Sequence, residues 1–349
     1  MKFKVLLINL GVFLILLAGL EFISFWLVKN HLQKFAQADN QIAPQFNLYP
    51  TIDPLLGWTI GRKQAEDLGL SYVDGYVVYG SQHLQNPDAI RVAVFGGSTS
   101  DTVFSQNTWV KGFHEALNKA WGPTVVFNGA VGGYNSHQEL LKVVRDIEYL
   151  HPNLILTYNG ANELQGSQLP EQPMVTTYEH QIYAKFIRAS QVGFPYLVSL
   201  VKAVKSPHFT AAIEGQFAGP TNPALSHELW LKNISLIKAT AEMFGAQFHG
   251  ILQPVLGIGG YQLSQREEKI RTTNEFSQRN PAFYSRAIEI TKSRPYLTDL
   301  TEALNSLADV YIDDCHLIKE ADALMAKKVS EVILRTYTDT IRNKRETIH

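Results

Sequence analysis

Residues Arg91–Asp101 read R-V-A-V-F-G-G-S-T-S-D. Val92, Ala93, Val94 and Phe95 form an unbroken apolar run of strand length, the pattern of a buried strand. The run stops at Gly96-Gly97, a pair that permits tight backbone geometry, and Ser98 is the first reactive side chain beyond it. Open α/β sheets place their sites at the carboxyl ends of their strands. Taken alone, a strand, two glycines and a serine mark an ordinary turn. Ser98 acquires a role only if the rest of the chain supplies partners for it.

Outward from this stretch, strand and helix patterns alternate. Trp109, Phe113 and Leu117 recur at helical spacing in a segment that ends near Gly122-Pro123. Thr124–Phe127 reads as a strand, Ser136–Leu150 as an amphipathic helix and Asn153–Tyr158 as the next strand. This βαβ order predicts a three-layer α/β/α sandwich around a mainly parallel sheet. Residues 165–224 break the rhythm and read as an insertion over one side of the site, with a buried helix expected at Phe194–Val204. A helix at Leu225–Gly245, a strand at Gln247–Val255 and a polar segment after Gly257 follow. Beyond them come a helix at Ala282–Thr291, a strand-like run at Asp309–Ile312 and a last helix from Lys319 to Tyr337.

The chain has 349 residues, 45% of them hydrophobic, ample for a packed core. Its net charge of -1 calls for no nucleic-acid partner. The single cysteine, Cys315, excludes an intrachain disulfide and a cysteine-based zinc cluster.

Val5–Val28 is almost continuously apolar. Such a run spans a hydrocarbon core of about 30 Å. It exceeds a signal-peptide h-region and lacks an A-x-A site, and Leu20 stands where a lipoprotein signal needs cysteine. The expected organisation is a short head (1–4), a transmembrane anchor (5–28), a tether and N-terminal extension (29–86) and a main domain (87–340). The flanking lysines do not decide orientation. A tiny head before a large domain favours a single-pass inner-membrane protein with its domain outside the cytoplasm, in the periplasm. In the extension, Asp53–Trp58 is a compact turn with aromatic packing potential, and Tyr72–Tyr79 alternates like a strand. No catalytic set appears there.

The Gly129–Gly133 run lacks the spacing of a dinucleotide turn, and no phosphate-binding P-loop motif occurs. His114-Glu115 and His227-Glu228 both lack the second histidine of a zincin. Asn233-Ile234-Ser235 forms a glycosylation sequon inside a helical pattern.

Asp313-Asp314-Cys315-His316 holds the chemistry a serine needs. A nucleophilic hydroxyl requires a base, and the base an acceptor that fixes its tautomer. D-x-x-H spacing supplies both from one turn, with Asp314 next in line if the turn differs. Asn128–Gly133 offers backbone N–H groups and Tyr158–Glu163 a side-chain amide, the donors that acyl transfer needs for its oxyanion.

These four stretches, in this order, resemble the blocks of the SGNH hydrolase superfamily, the GDSL-like lipases and esterases. Gly97-Ser98 falls in the serine block, Gly133 in the glycine block, Asn162 in the asparagine block, and Asp313 with His316 in D-x-x-H. The resemblance covers about Ile90–Leu334. It implies catalysis by Ser98, His316 and Asp313, an oxyanion hole of the Ser98 amide, the Gly133 amide and the Asn162 side chain, a flavodoxin-like sheet, and no cofactor. G-G-S-T-S replaces G-D-S, so the aspartate's role falls to Asp101 or goes unfilled, and Glu163 stands where an aspartate is usual.

The implied activity is acyl-ester hydrolysis, with an acylated small molecule or the O-acetyl groups of a cell-surface glycan as partner. An O-acetyltransferase on the same class of glycan, a lysophospholipase or thioesterase, and an inactive membrane-tethered glycan-binding module are the alternatives.

Overall fold

A computed structural model describes residues 2–27, 51–105, 108–163 and 223–348. The insertion expected from residue 165, its helix at 194–204 and the start of the tether lie outside the described residues. In chain order the elements are α1 (Lys2–Leu27), β1 (Thr51–Asp53), β2 (Gly57–Thr59), α2 (Arg62–Asp67), β3 (Tyr72–Val73), β4 (Tyr76–Tyr79) and β5 (Ile90–Gly96). There follow α3 (Thr102–Ser105), α4 (Trp109–Trp121), β6 (Thr124–Asn128), α5 (Ser136–Leu150) and β7 (Leu154–Asn159). The chain closes with α6 (Pro223–Met243), β8 (Gln247–Leu252), α7 (Gln265–Thr273), α8 (Glu275–Lys292), β9 (Leu297–Asp299) and α9 (Lys319–Ile348).

Seven strands form one sheet in the order β3-β4-β6-β5-β7-β8-β9. From β6 to β9 every pairing is parallel, while β3 and β4 extend the β6 edge antiparallel. The parallel part has the doubly wound order in which the chain runs to one side of its first strand and then to the other. Sheets of this order place their sites at that switch, beyond the carboxyl ends of the strands. The Arg91–Asp101 stretch leaves β5 there.

Period-two alternation along β5 divides the core. Val92 and Val94 belong to a cluster with Trp109, Phe113 and Leu117 of α4 and Val329 of α9. Ala93 and Phe95 face the opposite cluster, with Ile147 of α5, Ile234 of α6 and Phe283 of α8. Trp109, Phe113, Leu117 and Trp121 repeat every fourth residue and lie buried on one stripe of α4. Each such side chain stabilises the sandwich by about 1.5–3 kcal/mol. The expected three-layer architecture is present.

Other elements differ from expectation. Tyr72–Tyr79 is two strands, folded back at Asp74-Gly75, whose φ values of 42° and 91° make a tight turn. Asp309–Ile312 is not a strand. Asp309 takes φ 56°, and only an isolated bridge pairs Tyr311 with Leu317. The last sheet strand is instead β9, three residues long. The polar segment after Gly257 contains α7, opened by a reciprocal capping box between Ser264 and Glu267. Pro281 lies inside α8 rather than ahead of it.

The first apolar run is helical over the 26 residues of α1, with Phe13, Ile15, Leu16 and Phe22 exposed along it. Among the described residues no helix is long and apolar enough to cross a membrane, so the structure does not establish the span expected over 5–28.

The extension packs on the sheet edge as a third cluster, in which Leu56, Trp58, Ile60 and Val77 meet Val103, Val131 and Tyr134. Asp53 accepts the backbone N–H groups of Leu55 and Leu56 and pairs with Arg145 of α5 at 2.6 Å. The first hairpin is thereby fixed beside the turn that follows β6.

Candidate active site

Three hydroxyls follow Gly97, and their surroundings separate them. Ser100 is fully buried and its Oγ accepts from Trp109 Nε1 at 3.0 Å. Thr99 Oγ1 donates to Gln253 Oε1, at the end of β8. Both are committed to structure. The Ser98 carbonyl accepts from Ser105 Oγ at 2.6 Å, which sets the angle of the turn. Gly97 O receives the N–H groups of Ser100 and Asp101, closing the turn tightly.

The second glycine has a local reason. A Cβ added at Gly97 would collide with Asn162 Nδ2 and lie 3.2 Å from Tyr134 O. Asn162 leaves the end of β7 and donates Nδ2–H to Tyr134 O at 2.9 Å. An amide carries two N–H donors, and the Asn162 nitrogen that bears them lies beside the serine turn. The serine and asparagine blocks therefore meet directly at Gly97.

Asp101 ties the serine turn to the glycine block. Its Oδ1 accepts the N–H groups of Val103 and Phe104, capping α3, and its Oδ2 accepts Gly132 N–H at 2.9 Å. Burial raises its pKa to about 6, against the lowering effect of those three hydrogen bonds. Asn128 adds a second tie, donating Nδ2–H to Ser100 O at 2.8 Å and accepting Ala130 N–H. Gly133 takes φ 82°, a left-handed conformation that favours glycine.

Glu163, the residue after Asn162, performs a related task. Its carboxylate accepts both N–H and Oγ–H of Ser136, at 3.0 and 2.7 Å, and so holds the first turn of α5. Burial pushes its pKa up to about 7. Asn233, from the sequon, is buried and donates to Ser136 Oγ. A glycan there would have to displace that packing.

The D-x-x-H pair lies on the turn before α9. Asp313 Oδ1 accepts the N–H groups of Cys315 and His316, and Asp313 Oδ2 meets His316 Nδ1 at 2.7 Å. Burial works against the imidazolium, but the Asp313 hydrogen bond and charge, with the Asp314 charge, outweigh it and raise the His316 pKa. Burial likewise works against the Asp313 carboxylate, and the His316 bond and charge with two backbone amides hold its pKa below the ordinary value. The Phe104 ring lies over the His316 imidazole, with centroids 5.8 Å apart. Phe104 also sits 3.0 Å from where a Cβ on Gly132 would stand, so α3 links the histidine turn to the glycine block. Asp314 is turned elsewhere. Its side chain accepts from Asn274 and its carbonyl from Leu256 N–H, whereas the carboxylate hydrogen-bonded to His316 is that of Asp313.

Asp313, Cys315 and His316 bring ligand-type atoms within 4.8 Å of one another. However, the histidine and aspartate atoms are spent on each other, and burial, with the Asp314 and Asp313 charges, pushes the Cys315 thiol well up. The set reads as an oriented base, not a metal centre.

Sequence reasoning missed Trp58. Its Nε1–H donates to Gly132 O at 2.9 Å, its ring meets that of Tyr134 edge-on at 5.7 Å, and its carbonyl accepts from Tyr134 Oη. The aromatic residue in the Asp53–Trp58 turn was the available signal, but nothing in sequence pointed it at a glycine 74 positions away.

No family model matches the chain, and no curated protein matches it. Solved structures do. A GDSL-like lipase from Bacteroides thetaiotaomicron is 12% identical over 74% of this chain and 96% of its own, with a TM-score of 0.40. An acetyl xylan esterase is 12% identical over 70% of this chain and 100% of its own, at 0.43. A catalytic mutant of an acetylxylan esterase from Geobacillus stearothermophilus is 9% identical over 71% of this chain and 94% of its own, at 0.42. Likenesses this remote leave the chemistry to be read from the residues of this chain.

Proposed function

We propose that the chain is a serine-dependent acyl-ester hydrolase of the SGNH type. The observation that carries the proposal is the pairing of Asp313 and His316 at 2.7 Å on the same rim of the sheet as the interlocked Ser98, Gly132-Gly133 and Asn162 turns. In this reading Ser98 Oγ attacks the acyl carbonyl while His316 Nε2 takes its proton, and Asp313 stabilises the imidazolium formed at Nδ1. The amides of Ser98 and Gly133 and the second N–H of Asn162 receive the oxyanion. Collapse expels the alcohol, which takes the proton back from His316. Water, deprotonated by the same histidine, then releases the acid and restores Ser98.

The substrate we favour is an O-acetyl group on a cell-surface glycan. The burial of Ser98, 8% exposed, supports a small acyl group. We also propose that residues 5–28 anchor the chain and place the domain in the periplasm. The length and apolarity of the sequence run support this, at about 1.5 Å per residue against a core of about 30 Å. The test uses the full chain in detergent with a fluorophosphonate, which traps activated serines. Wild type is expected to label, whereas Ser98→Ala is expected not to; equal labelling of the two would remove the proposal.

A further inference from the structure

Gly132 C=O and Gly133 N–H belong to one peptide unit, and a trans peptide points the two in opposite directions. Trp58 Nε1–H grips the carbonyl end of that unit at 2.9 Å. The preceding amide, Gly132 N–H, is held by Asp101 Oδ2, also at 2.9 Å. Two groups from different parts of the chain thus fix the orientation of the peptide whose far end is Gly133 N–H. The indole ring closes the other escape: a Cβ on Gly133 would stand 3.3 Å from Trp58 Cζ2. Trp58 is itself 9% exposed, seated in the third apolar cluster and tied back through its carbonyl to Tyr134 Oη.

We propose that Trp58, in the N-terminal extension, is the positioning residue of the oxyanion hole. It acts through the Gly132–Gly133 peptide and does not touch substrate. The inference rests on the hydrolase reading above and assigns the extension a role in that site. Two effects follow from the geometry. Donation to the carbonyl oxygen fixes the direction of Gly133 N–H before substrate arrives, which is the preorganisation that oxyanion stabilisation requires. It also polarises the amide, because hydrogen bonds arranged in a chain strengthen one another. The transition state gains more than the ground state, so the effect falls on kcat and leaves KM nearly unchanged.

The test measures turnover of 4-nitrophenyl acetate and the rate of fluorophosphonate labelling, both by the full chain in detergent. Active sites are counted from the labelling endpoint. Trp58→Phe keeps an aromatic ring in the cluster and removes the donor. Its rate per active site is expected to fall about fivefold or more in both reactions, the usual worth of one neutral hydrogen bond, with KM held. A merely structural role would lower the melting temperature and the number of labelled sites while leaving the rate per site at the wild-type value, and that result overturns the inference. Should Trp58→Phe not fold, 3-benzothienylalanine at position 58 decides, since sulfur there replaces the N–H with little change of shape. A wild-type rate per site in that protein overturns the inference, and the same fall supports it. Labelling that persists in Ser98→Ala overturns the hydrolase reading and this inference with it, whereas Ser98-dependent labelling with an unaltered rate at the modified site overturns this inference alone.

Discussion

Gly97→Ala should disable the site without unfolding the protein. Gly97 is not among the residues with positive φ, so its backbone accepts any side chain and the effect of the new methyl group is steric. That methyl would enter the space of Asn162 Nδ2 and approach Tyr134 O to 3.2 Å, forcing the amide out of its 2.9 Å hydrogen bond. The lost bond costs about 1 kcal/mol of stability. The lost oxyanion donor costs about 2.7–4 kcal/mol in the transition state, a fall in kcat of about 10² to 10³. Asn162→Ala removes the same donor directly and should fall by a similar factor. In the double variant the methyl group introduced at position 97 finds the space that Asn162 vacated, so it should be no slower than Asn162→Ala alone. The assay is kcat for a small acetyl ester with all four proteins, arranged as a double-mutant cycle. A coupling close to the whole of the Gly97→Ala effect is expected. Multiplying effects would refute the claim that Gly97 acts through Asn162.

Two predictions concern pH. His316 must be neutral to act as base and its pKa is raised from 6.5, so the acid limb of kcat/KM should lie above that value. Asp313→Asn removes the larger of the influences that raise it and leaves burial opposed only by the Asp314 charge, so the limb should move to lower pH while kcat falls. A limb unmoved by the substitution would argue against the pairing. The stabilisation from this pair is fully present between about pH 3.8, the unfolded aspartate value, and about pH 6.5, the unfolded histidine value; it is lost as pH rises through the raised His316 value and as pH falls through the lowered Asp313 value. Glu163 behaves as a buried acid whose pKa rises from 4.5 to about 7, an effect of about 3 kcal/mol. The folded state holds its proton more tightly than the unfolded state. Its contribution is therefore complete below about pH 4.5 and lost as pH climbs through about 7. Glu163→Gln should flatten the decline in melting temperature between about pH 5 and 8, and an undiminished decline would contradict the assignment.

How much of this was legible in the sequence depended on range. Ser98, Asn162 and the Asp313–His316 pair each sit within a few residues of the strand end or turn that presents them, and short motifs record such arrangements. The alternation of buried strands and amphipathic helices likewise predicted the sandwich. Asp309–Ile312 misled because apolar composition resembles a strand, while the positive φ of Asp309 turns the chain there. The α7 helix was hidden by its polarity, although Ser264 and Glu267 stand at capping-box spacing. Trp58 was illegible for a different reason. Its hydrogen bond to Gly132 joins residues 74 apart in sequence, and the acceptor is a backbone carbonyl that carries no side-chain signature.

The central claim is that Ser98 is the nucleophile, and peptide mapping of the fluorophosphonate-treated full chain tests it most directly. The phosphonyl group is expected on Ser98, with none on Thr99 or Ser100 and none anywhere when His316 is replaced by alanine. Modification of a different residue, or undiminished modification of Ser98→Ala, would contradict it.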